Sequence, residues 1–125
     1  MSETIRVLIE EEKLNKRIAE LGAQISRDYA GQEVTLICIL KGSVFFTCEL
    51  AKRITVPVAL DFMSVSSYGS STVSSGKIEV KKDLDESIEN KNIIIIEDII
   101  DTGRTLKYLL EDLRKRNPKS LKLCT

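Results

Sequence analysis

The chain has 125 residues, 42% of them hydrophobic and 30% charged, with nineteen Lys and Arg against nineteen Asp and Glu. A chain of this size suits one domain over residues 1–125 around a single core, burying about 65 to 70% of the surface its unfolded form exposes. Zero formal net charge removes any bulk attraction to nucleic acid, and the composition is that of a soluble globular protein.

The N-terminal stretch, with Glu3, Arg6 and Glu10 to Glu12, has neither the basic start nor the apolar run of a secretory signal, so a cytoplasmic location is expected. Leu14, Ile18, Leu21 and Ile25 recur at spacings of four, three and four. That stripe predicts an amphipathic helix from about Glu10 to Ala30, stopped by Gly31. Glu33 to Leu40 reads as a buried strand; Thr35 breaks its apolar run and Lys41 ends it, far short of the ~20 residues that cross a bilayer. Gly42-Ser43 opens a second helix reaching about Arg53, and Pro57 marks the entry to a strand running through Met63. From Ser64 to Gly76, seven serines, one threonine and two glycines leave little to bury, and a mobile stretch is expected. Lys77 to Lys81 alternates charged and apolar residues like a half-exposed strand, and Asp83 to Asn92 reads as a polar connection.

Ile93 to Ile96 are β-branched at every position and apolar on both faces, which suits a strand covered by helices on both sides. Leu106, Leu109, Leu110 and Leu113 give the next helix its apolar stripe, with Lys107, Glu111 and Lys115 on the solvent side. Asn117-Pro118 ends it, and Leu121, Leu123 and Cys124 begin another strand. The alternation of strands and helices predicts an α/β fold: a mostly parallel twisted sheet with helices on both faces, plus a short antiparallel pair within residues 64–82. Cys38, Cys48 and Cys124 form an odd, widely spaced set, and all three are expected as buried thiols. With no histidine in the chain, zinc sites and histidine-based triads are excluded as written, and proton transfer falls to Asp or Glu.

The junction after Ile96 carries the chemistry. Glu97, Asp98 and Asp101 sit at or just beyond a strand's carboxyl end, where ligands collect in open α/β sheets. Thr102, Gly103 and Thr105 then open a helix whose free N–H groups attract a phosphate dianion. Asp, Thr and Gly also serve as ordinary caps, but clustered carboxylates repel one another unless a cation or a hydroxyl-rich ligand intervenes. The junction can therefore hold a phosphorylated sugar.

The stretch from Ile93 to Leu106 resembles the phosphoribosyl-diphosphate signature of type I phosphoribosyltransferases. Its form Glu97-Asp98-Ile99-Ile100-Asp101-Thr102-Gly103-Arg104-Thr105 looks like the hypoxanthine-guanine branch. Leu40-Lys41-Gly42 is similar to that family's pyrophosphate loop, and Ser67-Tyr68-Gly69 to the tip of its mobile catalytic loop. The resemblance covers about residues 5 to 125.

It implies a donor substrate, 5-phosphoribosyl 1-diphosphate with Mg2+, and transfer of the ribosyl phosphate to N9 of a 6-oxopurine with release of pyrophosphate. Asp101, Thr102, Gly103, Arg104 and Thr105 would surround the 5-phosphate, and Glu97 and Asp98 would meet the ribose hydroxyls and Mg2+. Asp101 would be the general base; its alternative role is a helix N-cap. Lys41 and Gly42 would meet the leaving pyrophosphate, with a cis peptide bond before one or the other. Ser67 and Tyr68 would belong to a loop closing over the reacting centre, against the alternative of a plain disordered loop. Homodimers or homotetramers through elements near the Lys41 loop also follow from the resemblance.

Family members carry, after the strand beginning at Leu121, a lysine and an aromatic residue for the purine and an aspartate for a second Mg2+, and none of the three is present here. A chain truncated before the purine-binding lid is therefore expected, and an isolated 125-residue piece would be inactive and prone to aggregate through an open strand edge. Alternatives on the same fold are a phosphoribosyltransferase for xanthine, adenine, uracil or orotate, and a nonenzymatic nucleotide-sensing regulator that binds RNA. The last is disfavoured by the zero net charge. A P-loop is excluded, because Ile78 follows Gly76-Lys77 where Ser or Thr would bind Mg2+.

Overall fold

Every residue of Val34–Ile39 (β1) and Asn92–Ile96 (β4) is buried, and the two strands pair in parallel with Cys38 opposite Ile96. The computed structural model describes residues 11–67, 78–97 and 103–124. In chain order the elements are Glu11–Asp28 (α1), β1, Val44–Ala51 (α2), Val58–Ser67 (β2), Ile78–Lys82 (β3), β4, Gly103–Arg114 (α3) and Ser120–Cys124 (β5). They form a five-stranded sheet in the order β3-β2-β1-β4-β5, parallel except for the edge strand β3.

β1 passes through α2 to β2 on one side, and β4 passes through α3 to β5 on the other. Because parallel crossovers are right-handed, opposite directions put the two helices on opposite faces. Alternation along the strands divides the core accordingly. Val34, Leu36, Ile94 and Ile96 pack with Ile18, Ile25 and Tyr29 of α1 and with Leu50 and Ile54. Ile37, Ile39, Ile93 and Ile95 pack with Met63, Ile88, Leu109 and Leu113. The isoleucine run is apolar on both sides because each side has its own helix layer. Of the α1 stripe, Ile18 and Ile25 are buried, Leu21 packs at the margin and Leu14 is exposed. Gly31 ends the turn after α1 with φ 78°, a left-handed conformation that glycine takes without steric cost.

The structure departs from the sequence reading in three places. β2 runs on through Ser64–Ser67, where serines had suggested irregular chain; Val65 reaches the core and β3 supplies backbone partners, with a register shift at Ser64/Val65. The connection from Asp83 to Lys91 is polar but buries Ile88 to 2% exposure. It is held by Asp61, a buried carboxylate on β2 that accepts hydrogen bonds from the amides of Phe62 (2.8 Å), Asp85 (3.1 and 3.2 Å) and Glu86 (3.3 Å). Among the described residues β3 pairs with Ser64 to Ser67 of β2, and the Asp61 bonds hold the following connection against the same strand. Lastly, of the three cysteines only Cys38 is buried: Cys48 lies on the outward face of α2, and Cys124 is half-buried on β5, where burial pushes its thiol pKa up.

Close approach of α1 and α2 depends on Gly22. A Cβ there would lie 2.7 Å from the Arg53 Cβ and 2.8 Å from its carbonyl oxygen. Ser26 extends the contact, donating to the Gly22 carbonyl at 2.7 Å and accepting the Thr55 amide at 2.9 Å. Ala is favoured over Gly inside a helix by ~1 kcal/mol, but a backbone clash costs about 1 to 3 kcal/mol. Gly22→Ala is therefore expected to destabilise the fold in urea denaturation; a raised midpoint would show that the helices can separate freely.

The fold also contains an acid-sensitive ion pair. Asp83 is held below the usual carboxylate range chiefly by its hydrogen bond from Arg116, against a partial desolvation that opposes it. A depressed folded pKa stabilises above the ordinary value of 3.8 and loses that contribution as pH falls through the lowered one. Asp83 is half exposed, so screening limits the effect to ~1 kcal/mol or less. Asp83→Asn should lower stability at pH 7 and converge with the parent protein in strong acid; a difference independent of pH would contradict this.

Candidate functional site

The four parallel strands end on one edge of the sheet, and there β1 and β4 lie side by side while their connections leave in opposite directions. Such a switch point opens a crevice outside the strand ends. The opposite edge carries a cavity of about 330 Å³ lined by Gln32, Glu33, Asn92 and Lys119 among others, with side chains there hydrogen-bonded to one another. Asn92 donates to Gln32 Oε1 and the Glu33 carbonyl, both at 3.1 Å, and accepts the Ser120 hydroxyl at 2.9 Å.

On the β1 side of the crevice, the Leu40 amide donates to the Met63 carbonyl at 2.9 Å and the Val44 amide to the Lys41 carbonyl at 3.1 Å. This turn leaves Lys41 and Gly42 exposed, and its Leu40–Lys41 peptide bond is cis. Ser43 beneath it is fully buried, and its carbonyl accepts both the amide (2.8 Å) and the hydroxyl (2.7 Å) of buried Thr47. The doubled bond ties the turn to the first turn of α2, so a cation and a free amide are presented from a fixed base.

On the β4 side, Glu97 follows Ile96 directly and is half-buried, and its amide donates to the Cys124 carbonyl at 3.0 Å. From the Cys38–Ile96 pairing, Glu97 stands level with Ile39, on strands about 4.8 Å apart. A lysine-bearing turn and a carboxylate-bearing strand end therefore flank the crevice. α3 leads from β4 back to the parallel strand β5, so its N-terminus at Gly103 is on the same edge. Its first turn holds no acid, and a helix N-terminus of this kind attracts an anion through its N–H groups and dipole.

The topology thus puts Lys41, Gly42, Glu97 and the backbone of Gly103, Arg104 and Thr105 at one edge of the sheet. Ser67 ends β2 on the same edge. Asp98, Asp101, Thr102 and Tyr68 lie outside the described residues. Among the described residues no three His, Cys, Asp or Glu are grouped to hold a metal ion. The sequence reading missed Thr47 and Asp61. Asp61 had a signal, a lone acid inside the apolar run from Val58 to Met63; Thr47 had none, since its hydroxyl matters only through a carbonyl one helical turn back.

Known proteins share this sequence and this fold. Residues 8–125 match the model of the phosphoribosyl transferase domain. The chain is 49% identical to a hypoxanthine-guanine phosphoribosyltransferase of Mycobacterium bovis, over 95% of its own length and 62% of that protein's. It is 46% identical to a hypoxanthine phosphoribosyltransferase of Buchnera aphidicola, covering 100% of this chain and 72% of the other. Among solved structures, a hypoxanthine-guanine phosphoribosyltransferase of Bacillus anthracis with HEPES in its active site superposes with a TM-score of 0.91 at 44% identity, covering 99% of this chain and 73% of that one. The chain thus spans about 62% of the length of relatives such as the M. bovis protein.

Proposed function

The chain belongs to the phosphoribosyltransferase family, and on that premise we propose that the whole protein is a purine salvage enzyme. It moves the 5-phosphoribosyl group from 5-phosphoribosyl 1-diphosphate to N9 of hypoxanthine or guanine and releases pyrophosphate. The observation that carries this reading is the convergence of the Lys41 turn, Glu97 and the N-terminus of α3 at the β1/β4 switch point.

The amides of Gly103, Arg104 and Thr105, with the hydroxyls of Thr102 and Thr105, take the 5-phosphate through charge-assisted hydrogen bonds, each worth about 1.5 to 3 kcal/mol. Glu97 and Asp98 accept the ribose 2- and 3-hydroxyls. As the bond from carbon 1 to the diphosphate breaks and the bond to N9 forms, charge grows on the leaving group. Lys41 and the Gly42 amide meet it there, where pre-positioned donors contribute most. Asp101 takes the proton that the purine ring loses. Ser67 and Tyr68 help exclude water from the oxocarbenium-like centre.

Mg2+ fits this donor set. It takes one or two carboxylates together with substrate phosphates, so the adjacent pair Glu97 and Asp98 suffices where no three-residue cluster is found among the described residues. When bound, it supplies charge neutralisation at the diphosphate.

Two further features go with the reading. Phe45 is 85% exposed on α2, one turn beyond Lys41, and a homodimer or homotetramer would cover it; the sedimentation mass of the full-length protein reads this directly. A cytoplasmic location agrees with three free cysteines, and no described helix is long and apolar enough to cross a membrane.

In the full-length protein, Asp101→Asn should lower kcat by about 10² to 10⁴-fold, the usual worth of a positioned general base. The KM for phosphoribosyl diphosphate should stay within a few-fold, because the backbone donors remain. Near-normal turnover would leave Asp101 with only a capping role.

A further inference from the structure

Arg116 lies just past the C-terminus of α3, at the opposite end from Gly103. Its guanidinium donates to Asp83 at 2.8 and 3.3 Å and to Asp112 of its own helix at 2.9 Å. Asp83 begins the connection that leaves β3, and that connection is itself fixed to β2. The Asp61 carboxylate takes the amides of Asp85 and Glu86. Lys82 Nζ donates to the carbonyls of Phe62 (3.1 Å) and Asp83 (2.9 Å) and to the Asp85 carboxylate (3.2 Å). Ile88 anchors the connection's other end in the core. The tail of α3 is thereby tied through Asp83 to the strand on the far side of β1 from β4.

Stability does not explain this network. The Arg116 and Asp83 side chains are 30% and 54% exposed, and pairs so open to water contribute little to folding. Leu109 and Leu113 already hold α3 on the sheet. Apolar contact, however, is non-directional, whereas a guanidinium fork on a carboxylate fixes an angle. α3 has 12 residues and so is about 18 Å long. A tilt of about 3° then moves one end by ~1 Å relative to the other, a displacement that can cost a binding or catalytic site up to about a hundredfold.

We propose that Arg116, acting through Asp83, is a positioning residue that sets the direction of α3 and thus aims the amides at Gly103 at the 5-phosphate. This rests on the reading of that helix end as the phosphate site. Pyrophosphate, which meets the Lys41 turn on β1, does not depend on the brace.

The test uses the full-length protein with Arg116→Met, Arg116→Lys, and the charge-swapped pair Asp83→Arg with Arg116→Asp. Arg116→Met should raise the KM for phosphoribosyl diphosphate about tenfold, with kcat within about threefold and the Kd for pyrophosphate unchanged. Arg116→Lys, which keeps the charge but loses the fork, should recover little. The swapped pair should recover most of the donor KM. An unchanged donor KM would overturn the proposal, and so would equal loss of donor and pyrophosphate binding, which marks general loosening. If the unmodified protein shows no turnover dependent on phosphoribosyl diphosphate, the phosphate-site reading fails, and the proposal with it.

Discussion

The parallel pairing of β1 with β4 is the constraint on which the rest depends. Because the chain reaches β2 from one member of this pair and β5 from the other, right-handed crossover forces α2 and α3 to opposite faces. Both strands must then be apolar on both sides, which is what Val34 to Ile39 and Ile93 to Ile96 provide. At the carboxyl edge the same divergence parts the two connections and leaves a crevice. A lysine turn enters it from one strand, and an acid and a helix end enter from the other. The proposed site is a consequence of topology before it is a matter of particular side chains.

Much of this was legible in the sequence because it is written in local pattern. Four consecutive isoleucines suit a strand buried on both faces, and the leucine stripe from Leu106 to Leu113 suits a helix packed on one. The strand-to-helix junction after Ile96 was visible for the same reason, since acids directly after an apolar run mark the run's end. Element boundaries from α1 to β5 shifted by only a few residues.

What escaped was set by contacts between distant residues. Ile88 stands in a polar segment, and its burial depends on the fold of that segment over the sheet. Asp61 breaks the rule that a buried strand is apolar because its carboxylate holds the amides of Asp85 and Glu86. Cys48 was expected inside, yet it falls on the outward face of α2, a helix too apolar all round for its sequence to show which side faces water. Arg116 and Asp83 are 33 residues apart, and their pairing joins two segments that no periodicity relates.

The central claim is that the Lys41 turn and the N-terminal end of α3 act together on one ligand at the β1/β4 crevice. Hydrogen exchange of the full-length protein, with and without 5-phosphoribosyl 1-diphosphate and Mg2+, tests it most directly. The account predicts that the ligand slows exchange at Gly42 and at Gly103 to Thr105 together, while the amino-edge residues around Asn92 and Lys119 are unaffected. Protection confined to the amino edge, or absent from both the Lys41 turn and the start of α3, would contradict it.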